Sequence, residues 1–529
     1  MDLSTSDASV LIEIIKEQTT TISSLRQTLE EMNAESRLLR EQIDYLTKKL
    51  FGVKSEKSSV LTGQILLEGM EFGQFDEAES NADFEQSEEL VKRQKTRKGY
   101  SREKALIHLP QEDRQFTISE ADKICEIDGD RRHFAGKKYI RSEIEYIPAT
   151  MKIINIYQET WECRTCRKEE RPYLKQAGVD APLLQHSMAS PSSVAWTMYQ
   201  KYVNHIPLYR QEKDWQNLGM QVKRSTLSNW ILKTSEEYLG KMVERIHQQL
   251  LMQDYLHADE TTLQVMKEED RKNTSKSYMW VYTSSKNSTK PIRVFEYKEG
   301  RSGSNAVNFL QGYEGYLHTD GFSGYGKVEN ITRCLCWSHA RRHFADALPK
   351  NLKSPEATLP LQAMEYFKKL FEIEDKLKDL SPEDRKEERL RQQMPVLEAY
   401  WSWVENNSNR VLPKSRIGKA LQYSINQREG LMRYLEDGNC DMTNNTAENS
   451  IRPFTVGRKN WLFAGSPNGA HSSAIVYSLV ETAKANGINP YKYLQLLLSA
   501  IPKLDMEDTM SLDRFLPWDP KVREACKIL

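Results

Sequence analysis

The first fifty or so residues follow a heptad pattern of apolar positions. Apolar side chains recur in a 3-4 spacing from Leu11 to Val53, and Gln18 and Ser36 are the polar interruptions on that seam. This spacing is typical of a coiled coil, in which two or more helices bury a shared apolar stripe. The pattern predicts an oligomerisation helix over residues 1–55 that forms a homo-oligomer. The alternative is a single amphipathic helix packed on its own domain.

The composition changes abruptly after that helix. Residues 68–89 are rich in Glu, Asp, Ser and Gln, and a basic run, residues 92–98, follows at once. Such a segment cannot bury enough apolar surface to offset the entropy lost on ordering. We therefore interpret residues 56–99 as a charged flexible linker, whose basic run either contacts DNA phosphates or is simply solvated.

Alternating apolar and polar positions between residues 100 and 180 predict a small β module. It contains a Cys-x-x-Cys pair, Cys163 and Cys166, and one earlier cysteine, Cys125. A Cys-x-x-Cys pair is half of a zinc-ribbon site, and a full site needs a second pair. Two interpretations follow: these three cysteines bind Zn²⁺ with a further ligand such as Asp128 or His133, or the module has lost its metal.

Residues 181–250 change to a helical pattern. One helix ends near Gly219, and a second begins beside Lys223 and Arg224 with Ser and Thr residues that suit a helix start. A helix, a Gly-containing turn and a second helix have helix-turn-helix spacing, with Lys223, Arg224 and Asn229 placed to contact DNA. Any pair of antiparallel helices in a bundle would give a similar pattern.

The following residues predict a catalytic core that is split by an insertion. Three strands (254–266, 277–284 and 291–297), a helix (303–310), a fourth strand (315–319) and a fifth strand (331–337) occupy residues 251–350. This order indicates a ribonuclease-H-like mixed sheet with flanking helices. A charged helical insertion fills 351–435, the core resumes over 436–490, and a C-terminal helix and tail occupy 491–529. The fold class is therefore a multidomain α+β protein in which the coiled coil, the zinc-ribbon-like module and the helix-turn-helix region precede the core.

Three acidic residues stand at informative places in this core. Asp259 interrupts an apolar strand, Asp320 ends the fourth strand, and Glu448 lies in the first turn of a later helix. Oxygen ligands of this kind suit Mg²⁺, and a metal pair about 3.5–4 Å apart can clamp the attacking and leaving oxygens of a phosphoryl transfer. Because side chains alternate along a strand, we expect Glu260 to point to the opposite face from Asp259 and its replacement by Gln to be much milder than loss of Asp259.

The motifs around these residues resemble the DDE transposases of the insertion sequence 66 family. The resemblance covers nearly the whole chain and is carried by the following segments: 50–57, 205–211, 224–227, His257–Thr261, His318–Phe322 with Tyr325, Cys336–Arg342, Asn444–Asn449, Arg452–Pro453, Gly457–Lys459 and Phe515–Trp518. The chain departs from the family pattern at Cys125, where Ile127 and Asp128 occupy the region of a second Cys-x-x-Cys pair.

The resemblance implies a Mg²⁺-dependent transposase that cleaves and joins DNA strands. Asp259, Asp320 and Glu448 would be the catalytic residues and the ligands of two Mg²⁺ ions, for which Mn²⁺ can substitute. Arg452, Arg458 and Lys459 would contact phosphates near the scissile bond, or would form a solvated helix face. The partners would be the terminal inverted repeats of the element, target DNA and accessory proteins of the same element.

Composition narrows the function classes further. Lys and Arg total 75, as do Asp and Glu, so any nucleic-acid-binding charge has to be local. The longest apolar run is too short to span a membrane. Seven scattered cysteines and the lack of a secretory signal pattern favour a cytoplasmic, nucleoid-associated protein. Two other functions stay open: a nuclease that cuts without joining, and a non-catalytic DNA-binding regulator descended from a transposase. Cys336 and His339 form a Cys-x-x-His pair that either supports the site or binds a metal.

Overall fold

The computed structural model describes residues 151–162, 174–348, 358–504 and 509–528. The predicted coiled coil, the linker and the candidate zinc ligands Cys125, Cys163 and Cys166 lie outside the described residues. A two-stranded antiparallel sheet pairs β1 (Thr160–Glu162) with β2 (Leu174–Gln176).

Within the described residues, four helices precede the main sheet. They are α1 (Pro191–Tyr202), α2 (Leu208–Asn217), α3 (Arg224–Thr234) and α4 (Gly240–Leu250), with a π-helical turn at Ser235–Leu239 between the last two. Ser190 begins α1 through a capping box with Ser193, which satisfies backbone N–H groups at the helix start. Trp215 of α2 packs against Trp230 of α3 in the core of this helical region. The predicted helix, turn and helix are therefore present.

A five-stranded mixed sheet forms the centre of the fold. Its strands are β3 (Tyr255–Gln264), β4 (Lys276–Ser284), β5 (Arg293–Lys298), β6 (Gly315–Thr319) and β7 (Ile331–Leu335). Their order across the sheet is β5-β4-β3-β6-β7, and β3 to β5 form an antiparallel meander, whereas β6 and β7 run parallel to β3. The predicted strands are confirmed, and so is a mixed sheet with flanking helices.

Some of the helices that follow flank the sheet, and others form the insertion. After β5 come α5 (Gly303–Phe309) and, following β7, α6 (Trp337–Asp346). The insertion contains α7 (Leu359–Leu377), α8 (Pro382–Gln392), α9 (Met394–Ser408) and α10 (Arg416–Met432). Helices α6, α7, α9 and α10 bury a second hydrophobic cluster around Trp337, Phe367 and Tyr400.

The chain then returns to the sheet through α11 (Asn445–Trp461), α12 (Pro467–Ala485), α13 (Pro490–Ala500) and α14 (Pro520–Ala525). Ser478 and Thr482 of α12 accept hydrogen bonds from the backbone N–H groups of Phe295 (2.8 Å) and Arg293 (3.0 Å) on β5. Because an edge strand exposes unpaired backbone groups, these contacts cover that edge of the sheet. Within the described residues, none of the helices has the length and apolar character needed to cross a membrane.

Candidate active site

Asp259 and Asp320 lie on neighbouring strands of the sheet. Strands β3 and β6 are parallel, with His257 opposite His318, and each carboxylate follows its histidine by two positions. Adjacent strands lie about 4.8 Å apart, so the register places the two acidic residues at the same level of the sheet. Asp259 is half-buried, and Asp320, just past the end of β6, is 9% exposed.

The loop that carries Asp320 is fixed by Arg333 of β7. The Phe322 N–H donates to Asp320 Oδ1 at 2.9 Å, and Arg333 Nη2 donates to the carbonyl oxygens of Asp320 and Phe322, each at 2.7 Å. Arg333 Nε also donates to Thr319 Oγ1 at 2.8 Å. These bonds hold the backbone on both sides of the carboxylate.

Glu448 reaches this part of the sheet through the start of α11. Buried Asn444 precedes the helix, and its Nδ2 donates to the Ala258 carbonyl at 2.9 Å. Its Oδ1 therefore faces His257 Nδ1, 3.1 Å away, and accepts a hydrogen bond from it. Since Ala258 precedes Asp259, Asn444 anchors the first turn of α11 beside that carboxylate, and Glu448, which is 3% exposed, lies one turn further along.

Asp441, in the segment before α11, contacts the buried ring of His257 and the ammonium group of Lys286. Asp441 Oδ2 lies 3.3 Å from His257 Nε2, and its Oδ1 lies 3.1 Å from Lys286 Nζ. Burial works against the charged carboxylate, but His257 and Lys286 together lower the pKa of Asp441. The rings of His257 and His318 stack with centroids 4.4 Å apart, which ties this pair to β6.

Glu260 lies close to Asp320 and shares a cationic partner with it. Its carboxylate is buried, accepts hydrogen bonds from Tyr325 Oη and the Arg301 guanidinium, and shares Arg301 with Asp320, whose Oδ2 lies 3.3 Å from Arg301 Nη2. Burial and the nearby charge of Asp320 raise the pKa of Glu260 to about 7. Glu260 alternates with Asp259 along β3, as expected, and its carboxylate belongs to the surroundings of Asp320.

Two groups of metal-ligating side chains also lie in this region. Among the described residues, three donor atoms approach within 4.8 Å of one another in Cys336, His339 and Glu448, and in His318, Cys334 and Cys440. The trio of Asp259, Asp320 and Glu448 is not drawn together this closely. Two ions about 3.5–4 Å apart do not require all three carboxylates to be this close, because carboxylates that lie far from each other can then bind different ions.

The residues predicted to contact DNA occupy different settings. Lys223, Arg224 and Asn229 are exposed at the start and along one side of α3.

On α11, Lys459 is exposed and Arg452 is half-buried. The Arg458 guanidinium instead binds β3, where it donates to Thr261 Oγ1 at 3.1 Å and to the Thr262 carbonyl. Arg458 therefore joins α11 to the sheet.

Sequence patterns missed several residues that shape the site. Arg301 lies in the loop between β5 and α5, where no periodic pattern marks it, and Arg333 reads as an ordinary polar position of a short strand. Asn444 was the easiest of the supporting residues to identify from the sequence, because Asn before a helical segment is a common capping residue. Its side chain binds the neighbouring strand instead, which requires knowledge of the tertiary fold.

Comparisons with known proteins identify the family. Residues 186–472 match the model of the transposase IS66 family, and residues 478–518 match the IS66 C-terminal element. Residues 38–114 match the family described as transposase C of IS166 homeodomain, and residues 122–167 match the zinc-finger binding domain of transposase IS66.

Similar proteins occur in Sinorhizobium fredii (strain NBRC 101917 / NGR234). The uncharacterized protein y4qI is 28% identical over 72% of this chain and 71% of its own length. The uncharacterized protein y4jD is 25% identical over 95% of this chain and 98% of its own length. Because the family model alone spans more than half of the sequence, the chain belongs to the IS66 family of transposases.

Proposed function

We propose that this protein is a DDE transposase with a ribonuclease-H-like core, and that it cleaves the ends of its element and joins them to target DNA. The observation that carries the proposal is the placement of three carboxylates. Asp259 and Asp320 lie level on adjacent parallel strands, and Asn444 anchors the helix of Glu448 to the residue before Asp259. The strand order of the sheet supports the ribonuclease-H-like assignment.

The donor set fits divalent metal ions. Asp259 and Asp320 offer hard oxygen ligands at the solvent-facing edge of a buried core, and Glu448 offers a third carboxylate. When bound, the metal ions supply charge stabilisation to the pentavalent phosphoryl transition state. Arg301 and Arg333 hold Asp320 in place, and Asn444 and Arg458 hold α11 against β3.

The remaining modules would bring DNA and a second copy of the chain to this site. Lys223, Arg224 and Asn229 would bind element ends, with Lys459 and Arg452 nearer the scissile bond. Phosphate contacts of this kind dominate affinity and make it depend on salt. The heptad segment would pair protomers, and Cys125, Cys163 and Cys166 would hold Zn²⁺ in the zinc-finger region.

The direct test uses a plasmid that carries the DNA flanking this gene on both sides. Purified protein with Mg²⁺ is expected to release the element and to join its 3′ ends to a second, target DNA. Cleavage without joined product would identify the protein as a nuclease. Salt-sensitive binding without cleavage would assign a regulator, and either result would overturn the proposal.

A further inference from the structure

Glu448 shares its buried setting with a thiol and an imidazole. Cys336 is 1% exposed, His339 6% and Glu448 3%, and one donor atom from each lies within 4.8 Å of the other two. Burial of three polar side chains together is costly unless they bind each other or a ligand. The three donor atoms lie close enough together to share one ligand.

Two helices build the cluster with their amino ends. Cys336 is the residue that begins α6, and His339 lies in the first turn of the same helix. The backbone N–H of Asn444, which begins α11, donates to Cys336 Sγ at 3.2 Å, and Glu448 occupies the first turn of α11. Helix amino ends favour negatively charged groups, so they stabilise anionic ligands at this point.

The donor atoms match a transition metal better than Mg²⁺. Magnesium selects oxygen ligands, whereas zinc accepts sulfur, nitrogen and oxygen and often keeps one position open. Bonds of about 2.0–2.3 Å in a tetrahedral site place ligand atoms roughly 3.3–3.8 Å apart. His339 Nδ1 and Glu448 Oε1 are 3.7 Å apart, within that range.

We propose that Cys336, His339 and Glu448 bind one transition metal ion of the zinc class. The inference deepens the proposed function and rests on it for the catalytic role of Glu448. The ion at Glu448 then differs in kind from the Mg²⁺ ion held by the all-oxygen pair of Asp259 and Asp320.

The second cluster provides a contrast. His318 Nδ1 lies 3.3 Å from the Leu256 carbonyl, and its Nε2 accepts a hydrogen bond from the Asp441 N–H at 3.0 Å. Both ring nitrogens are therefore used in backbone hydrogen bonds. Cys334 and Cys440, with sulfurs 4.0 Å apart, consequently lack an imidazole that is available to a metal.

Cobalt titration of the chelator-treated full-length protein tests the proposal, because Co²⁺ reports thiolate ligands and tetrahedral geometry by absorbance. Cys336→Ser is expected to bind one Co²⁺ fewer per chain than the unmodified protein and to lose sulfur-to-cobalt absorbance. Cys334→Ala is the matched control from the second cluster and is expected to keep the full count. About a hundredfold excess of Mg²⁺ is expected to leave the difference between the proteins intact, since Mg²⁺ binds thiolate poorly.

An unchanged cobalt count in Cys336→Ser, or an equal loss in Cys334→Ala, would overturn the proposal. His339→Gln provides a second variant if Cys336→Ser fails to fold, and it too is expected to lose one ion. A full number of bound Co²⁺ ions in His339→Gln would also overturn the proposal.

The titration needs no DNA, so it separates this inference from the proposed function. Strand joining by Asp259→Asn would refute the transposase mechanism whatever the cobalt count. An unchanged count in Cys336→Ser, alongside inactive Asp259→Asn, would refute the metal assignment alone.

Discussion

The buried carboxylate of Glu260 connects Asp259 with Asp320. It neighbours Asp259 in the chain, yet its side chain binds Arg301, which also reaches Asp320. Arg301 lies over the Phe322 ring, with its guanidinium carbon 4.1 Å from the ring centroid. The guanidinium therefore has a fixed place between two acidic groups.

We predict that the substitution Glu260→Gln slows strand cleavage. The amide removes the negative partner of Arg301 and leaves that guanidinium bound to Asp320 alone, which disturbs the carboxylate. The cost is about 1–3 kcal/mol, the usual range for losing a hydrogen bond to a charged group, and corresponds to roughly a tenfold to hundredfold slower cleavage. Single-turnover cleavage rates measure this slowing, and the control is Glu269→Gln at an exposed position. Equal rates in the two variants would refute the role of Glu260.

At the scale of elements, the strands and the helix that carry the carboxylates follow from local patterns. Apolar and β-branched runs predict β3 to β7, and the central strands β3 and β4 are buried on both faces. Side-chain partners such as Asn444 with Ala258, and Arg458 with Thr262, join segments far apart in sequence. No periodic pattern encodes these pairings, so the fold of the core was predictable and its internal supports were not.

The attachment of α11 to β3 gives the next prediction. Asn444→Ala leaves the buried Ala258 carbonyl and His257 imidazole without their partner, which costs about 1–3 kcal/mol for each unsatisfied group. We expect a lower thermal midpoint and loss of strand cleavage, measured by calorimetry and by a cleavage assay. Exposed Asn449→Ala, one turn further along α11, is expected to change neither. A normal midpoint in Asn444→Ala would show that other contacts hold the helix.

Helix α4 supplies a prediction about pH. Burial lowers the pKa of His247, whose Nε2 lies 2.9 Å from the Phe309 carbonyl. The folded protein keeps this ring neutral, so the unfolded chain binds more protons as pH falls through about 6.5, and stability is lost on acidification. We expect His247→Gln to flatten the fall in thermal midpoint between about pH 7 and 5. Exposed His186→Gln should keep the original slope, and an unchanged slope in His247→Gln would contradict the assignment.

At the scale of the whole molecule, we propose separate tasks for the heptad segment and the core that carries the three carboxylates. The seam from Leu11 to Val53 predicts self-association, which a transposase needs in order to hold two element ends together. Composition and spacing reveal this segment because a coiled coil is encoded locally. The metal preference proposed at Glu448 is not encoded in that way, because the amino ends of α6 and α11 meet only in the folded core.

We predict that Leu25→Lys combined with Leu39→Lys separates the protomers. Two charges on the seam cannot be buried without a large desolvation penalty, so the helices no longer pair. Light scattering should give the mass of one chain, 61.5 kDa. A double variant that keeps the parent mass would place self-association elsewhere in the chain.

The rate of strand cleavage and joining in the carboxylate variants tests the central claim most directly. Asp259→Asn, Asp320→Asn and Glu448→Gln each remove a negative ligand and nearly preserve side-chain volume, so the fold and DNA binding should survive. We predict that cleavage and joining fall together by at least about a thousandfold, since loss of metal-based stabilisation costs several kcal/mol and each ~1.4 kcal/mol is tenfold. Exposed Asp270→Asn should retain full activity. Near-normal cleavage by Asp259→Asn in Mg²⁺ would contradict this account of the active site.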